Sequence, residues 1–145
     1  MKTLRMLLTI ALLAGAVSTH VQAETQPLLK ASIPFGFTVG NQSFPAGDYT
    51  FSTVQVQAVD VVQLRSADGK RASFLPTHPT YSLDPSAQTK LIFQHYRSEY
   101  FLSQIWTFGR TSGRELVLPN HAKELTQNGS TLDVATVAAS AWFSH

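Results

Sequence analysis

The sequence predicts an all-β fold: an antiparallel sandwich or small barrel of about six to eight strands, with one short helix near the C-terminus. Three observations carry this. Ile33, Phe35, Phe37 and Val39 alternate with Pro34, Gly36 and Thr38, the period of a half-buried strand. Asp68-Gly69, inside Ser66–Lys70, stands between two apolar runs and is a strong hairpin signal. Finally, Lys90–Thr107 holds two runs of large apolar residues around the polar break Arg97-Ser98-Glu99, which reads as a second hairpin.

The chain opens with Lys2 and Arg5, then an apolar run from Met6 to Val17, then Val21-Gln22-Ala23. Charged head, apolar middle and small-x-small end form the pattern of a secretory signal peptide cut after Ala23. The apolar run is shorter than the roughly 20 residues that span a bilayer, so no transmembrane segment is expected after cleavage. With no cysteine, the chain has neither a lipid-anchor position nor a disulfide. Residues 24–145 are expected to form a single β domain, stabilised by packing alone.

Residues 24–30 read as a loose lead-in, and Pro34 puts the Ile33–Val39 strand at an edge or a beginning. Phe44–Tyr49 contains Pro45 and Gly47, a tight turn feeding a strand. A tyrosine just after such a corner packs its ring and bonds its hydroxyl to nearby backbone. Val59–Arg65 and Arg71–Leu75 are the arms of the first hairpin. Residues 76–88, with Pro76, Pro79 and Pro85, read as a long surface loop. In the second hairpin both faces carry large apolar groups, which suits a strand pair covered on both sides. Gly109 and Gly113 bracket a turn. Pro119–Leu125 forms a short helix with proline at its first turn, ended by Asn128-Gly129. Residues 131–142 suit a last strand or an Ala-rich helix equally.

The motifs Ile33-Pro34-Phe35-x-Phe37-x-Val39-Gly40, Pro45-Ala46-Gly47-x-Tyr49 and Tyr100-Phe101-Leu102-Ser103-Gln104-x-Trp106 resemble an uncharacterised family of small exported β proteins of soil bacteria. The likeness runs from about Ile33 to Leu125. It implies export and a β fold, and it brings no catalytic residue, cofactor or substrate. Relatives often carry glycine at the position of Arg97.

Composition narrows the function. Removing Lys2 and Arg5 from the 11 Lys+Arg leaves 9, against 9 Asp+Glu, so the mature part is formally neutral with His uncharged. No basic block remains, which argues against nucleic acid and anionic membrane surfaces as partners. Neutrality also argues against a strongly charged ligand. His78, His95 and His121 are scattered without ligand spacing, so no metal and no cofactor is expected; His95 reads as a partly buried side chain bonded to a neighbour. Gly109-Arg110-Thr111-Ser112-Gly113 places its serine one position late for a hydrolase elbow. Glu99 and Glu115 are the carboxylates a glycosidase would pair, both at expected turns.

The remaining candidate is aromatic. A three-residue loop at 97–99 would place Tyr96, Tyr100 and Trp106 on one hairpin face with Gln94 and Gln104. Rings beside amides suit a shallow site for an uncharged ligand; the competing reading is core rings with satisfied polar tips. The expectation is an exported, non-enzymatic envelope or secreted protein, periplasmic or secreted. It binds a ligand or envelope protein or serves a structural role. The alternative is a small secreted hydrolase with an unrecognised site.

Overall fold

Strand β1 (Thr25–Ile33) begins where the sequence suggested only a loose lead-in. Its first residues are polar and exposed, so side-chain pattern gave no signal. Backbone pairing with β4 makes the strand, from Thr25↔Val54 to Ile33↔Gly47, with a register shift between Pro27 and Leu29. The structure is a computed structural model and describes residues 25–56, 59–129 and 132–141. The expected signal peptide and its cleavage position at Ala23 lie outside the described residues.

Pro34 ends β1 rather than opening a longer strand. β2 (Phe37–Val39) and β3 (Gln42–Phe44) then form a small antiparallel hairpin around Gly40, whose φ of 55° suits glycine. Ile33, Phe37 and Val39 are buried and Phe35 is half-buried, so the alternation set the inward face correctly even though the strand breaks. The Pro45–Gly47 corner leads into β4 (Gly47–Val56). There Tyr49 is 3% exposed and its hydroxyl donates to the Pro45 carbonyl at 2.5 Å, as the corner predicts.

β5 (Val59–Ser66) and β6 (Ala72–Tyr81) are the arms of the Asp-Gly hairpin. The Asp68 carboxylate accepts from the Ser66 hydroxyl at 2.6 Å and the Lys70 amide at 3.0 Å. The hydroxyl bond first, then the amide, holds Asp68 below the ordinary carboxylate range. β6 runs further than expected, through Pro76 and Pro79, because it changes partner. Residues 72–76 pair with β5, and residues 77–81 pair with β9. Each half is paired on one side only, so neither proline has to donate to a ladder there.

β7 (Lys90–Tyr96), β8 (Glu99–Trp106) and β9 (Ser112–Leu116) follow, then α1 (Asn120–Gln127), β10 (Asp133–Ala138) and β11 (Ser140–Ala141). Gly113 therefore sits inside β9 and not in a turn. The helix starts after Pro119 and ends at Asn128, as expected. The segment left open between helix and strand is strand: β10 pairs with β7, and β11 with β1.

The fold class is as the sequence predicted, mostly β with one short helix near the C-terminus. Among the described residues the strands number eleven, more than the six to eight expected, because β1 forms over the lead-in and β2, β3 and β11 are short extra strands. The order is β10-β7-β8-β9-β6-β5-β4-β1-β11, antiparallel throughout, with β2 joining β8 as the parallel exception. β6 is the corner where this sheet folds into a sandwich. The ladder does not close, yet β10 and β11 at its two ends are separated only by Ala139. Among the described residues no helix is long and apolar enough to cross a membrane.

The main core lies between the layers. Leu29, Ile33, Phe51, Val62, Leu64, Leu91 and Phe93 are each at most 1% exposed. Phe37 joins them through edge contacts to Phe93 and Tyr49 and a stack on Phe44. Such pairs contribute about 0.5–1.5 kcal/mol each beyond area burial. A second cluster lies outside the sheet, where Ala122 of α1 covers Tyr96 and Phe101. An eight-residue helix is marginal alone; this contact and the Thr126 hydroxyl bonded to the Tyr96 hydroxyl at 2.9 Å hold it.

Candidate functional site

The hairpin β7–β8 turns on two residues, Arg97 and Ser98, with Tyr96 opposite Glu99; the expected three-residue loop is corrected. Arg97 takes φ 56°, the conformation that glycine adopts without strain. Further down, the register shifts between Ile92 and Phe93. Ile92 faces Gln104 while Phe93 faces Leu102, leaving Ser103 as the extra residue of a β-bulge. The Ser103 hydroxyl donates to the Ile92 carbonyl at 3.0 Å, and the side chain is buried.

These two departures set which residues of the aromatic candidate share a face. Gln94, Tyr96, Gln104 and Trp106 do share one face, the outer one. Tyr100 is opposite His95 and points inward, so it does not join them. On the outer face Tyr96 is 2% and Trp106 8% exposed. Their polar tips are satisfied in the same way: Tyr96 donates to Gln94 Oε1 at 2.9 Å, and Trp106 Nε1 donates to Gln104 Oε1 at 2.9 Å. Rings this covered, with their donors already engaged, offer a ligand little area. Tyr100 instead stacks on Phe35, with ring centroids 3.9 Å apart, and on His95 at 4.2 Å. The half-buried His95 is thus held by ring stacking.

The histidines do not converge; among the described residues no group of three or more His, Cys, Asp or Glu could hold a metal. His121 lies 3.0 Å from Glu99 on the exposed side of the helix and ties its start to the hairpin tip. Glu115 faces Gln104 across β8 and β9 on the outer face.

The larger opening is elsewhere, and the sequence reading did not find it. A cleft of about 790 Å³ opens between the layers at one end of the sandwich. It continues the core along the inward face of four strands. Past buried Phe51, β4 presents Thr53 and Gln55. Past Leu75, β6 presents Thr77, Pro79 and Tyr81. β9 presents Arg114 and Ser112 beyond Leu116, and Thr107 follows Ile105 after β8. β1 adds Gln26 and Leu28. The signal was present as a period-two register in which each inward row passes from apolar to polar. Seeing that the polar ends meet requires the strand order.

Chemically the cleft is an apolar floor of Leu28 and Ile105 under walls of hydroxyls, amides and two guanidiniums. Arg114 Nη1 reaches Thr77 Oγ1 across the wall at 3.4 Å. Arg110 sits on a loop fixed by backbone bonds: the Ser86 amide donates to the Arg110 carbonyl and the Gly109 amide to the Ser86 carbonyl, both at 2.9 Å. Tyr81, which lines the cleft, is 75% exposed. Among the described residues no carboxylate or imidazole lines this space. A smaller hollow of about 490 Å³ lies against β1 and β4, near Lys30, Asp48 and Ala67. Compared with models of protein families, curated proteins and solved structures, the chain matches none.

Proposed function

We propose that this protein is an exported, non-enzymatic envelope or secreted protein that binds a ligand in the cleft between its sheets. The observation that carries the reading is the change from apolar to polar on the inward rows of four strands at the same end. Inward rows of a β-sandwich ordinarily interdigitate as core. Polar rows there leave a solvated space of the size small ligands occupy, roughly 300–1,000 Å³, with orienting groups over an apolar floor.

Export is supported by the charged head, apolar run and small-x-small end of residues 1–23, and by the resemblance to small exported β proteins. Binding is favoured over hydrolysis because the described residues of the walls present donors and acceptors without an acid–base pair, while Glu99 and Glu115 lie on the outer face.

The test is a thermal-shift screen with cell-wall glycans and short peptides on wild type, Thr77→Trp and Tyr100→Ala. A ligand at about 100 times its Kd adds roughly 2.7 kcal/mol, several degrees in Tm. The expected result is a ligand whose stabilisation is lost in Thr77→Trp, where the indole obstructs the cleft, and kept in Tyr100→Ala. Stabilisation that survives Thr77→Trp would place the site elsewhere. Absence of any stabilising ligand would end the binding reading.

A further inference from the structure

We infer that the ligand of this cleft is a neutral, hydroxyl-rich carbohydrate, held by threonine, serine and glutamine side chains that meet there from different strands. The inference rests on the cleft being the binding site. Gln26 of β1, Thr53 and Gln55 of β4, Thr77 of β6 and Ser112 of β9 line it, and these uncharged polar residues, with Thr107, outnumber the apolar ones. A hydroxyl or carboxamide side chain can both donate and accept. A sugar hydroxyl does the same, so it is matched by partners of that kind; an ammonium only donates and a carboxylate only accepts.

These groups are also unengaged. Among the described residues, no hydrogen bond occupies the side chains of Gln26, Thr53, Gln55, Thr107 or Ser112. On the outer face the polar tips are bonded within the protein, as Tyr96 is to Gln94 and Trp106 to Gln104. Arg114 is engaged, with Thr77 among its partners, so the cleft presents no pair of free guanidiniums to an acid. Leu28, Ile105 and the exposed Tyr81 supply apolar and aromatic surface for the C–H faces of a sugar ring. A peptide recognised by β-strand addition would pair with a backbone edge, whereas this cleft is lined by side chains.

The experiment titrates the exported chain with short oligomers of glucose, of mannose and of N-acetylglucosamine, with a galacturonic acid oligomer, and with a serine- and glycine-rich peptide. Wild type, Thr53→Val, Gln55→Met and Thr77→Trp are compared. One of the neutral oligomers is expected to bind, equally at low and at physiological salt. Thr53→Val and Gln55→Met should each weaken it by about two- to tenfold, the loss of one neutral hydrogen bond. Tm should not change in either, since neither side chain is bonded to the described protein. Thr77→Trp should abolish binding. If the acid or the peptide binds more tightly than every neutral oligomer, and Thr77→Trp blocks it, the neutral carbohydrate falls and the cleft stands. No binding of any neutral oligomer, or binding that Thr53→Val and Gln55→Met both leave unchanged, overturns the carbohydrate assignment. A neutral oligomer still bound by Thr77→Trp overturns both the assignment and the cleft.

Discussion

Gly113 gives the sharpest test of the packing. It lies inside β9 with an ordinary strand backbone, so its absent side chain is a matter of space. A Cβ built there would fall 2.7 Å from Trp106 Cδ2, 2.9 Å from Cε2 and 2.9 Å from the Ile105 carbonyl oxygen. Carbon atoms pack best about 3.5–4.0 Å apart, so Gly113→Ala asks the indole to move by about 1 Å. It has little freedom to do so. Trp106 is 8% exposed and its Nε1 is bonded to Gln104, while Ile105 is paired opposite Arg114 in the β8–β9 ladder. Overpacking of this kind costs about 1–3 kcal/mol. Replacing glycine by alanine in a strand returns about 0.5–1 kcal/mol of chain entropy. The net is a loss centred on about 1 kcal/mol. With a urea m-value of about 1–3 kcal/mol/M, the unfolding midpoint should fall by roughly 0.3–1 M at unchanged m. The partner is identified by repeating the substitution in Trp106→Leu. There the alanine should cost at least about 1 kcal/mol less, a coupling typical of residues in contact. A wild-type midpoint for Gly113→Ala, or the same loss in both backgrounds, would refute the reasoning.

Phe93→Ala should cost about 3–5 kcal/mol, since Phe93 is fully buried and meets the rings of Phe35 and Phe37; a near-native urea midpoint would show that the core does not turn on it. Arg97→Gly relieves a left-handed conformation and should raise Tm, by up to the equivalent of about 1 kcal/mol; an unchanged or lower Tm would mean the turn carries no strain. Burial pushes the Tyr49 hydroxyl above its ordinary pKa, with Arg71 partly opposing. Its protonated form is thus favoured by folding. That contribution is complete below the unfolded pKa of about 10 and is lost as pH rises through the folded value. Wild type should therefore lose stability above pH 10 more steeply than Tyr49→Phe, as followed by circular dichroism; parallel alkaline profiles would contradict this.

The parts that the sequence alone determined are those decided within a few residues. Asp68-Gly69 fixes a hairpin because glycine takes the φ of 71° and the aspartate caps the turn. Pro45 and Gly47 set the corner that Tyr49 closes, and Pro119 with Asn128-Gly129 brackets the helix. The inward row Ile33, Phe35, Phe37 and Val39 was legible for the same reason, since alternation survives a break in the strand. Tertiary structure decided what depends on a partner. Residues 133–141 have no strong local preference and become strand against β7 and β1. Proline in β6 is tolerated because the strand changes neighbours between Pro76 and Thr77. One extra residue, Ser103, reverses the side that Tyr100 faces relative to Trp106, because strand side chains alternate with period two and a single insertion exchanges the faces. The candidate site divides the same way. The polar residues at 53, 55, 77, 112 and 114 are plain in the sequence, but strands far apart in the chain had to be laid side by side before their polar ends could enclose one cleft.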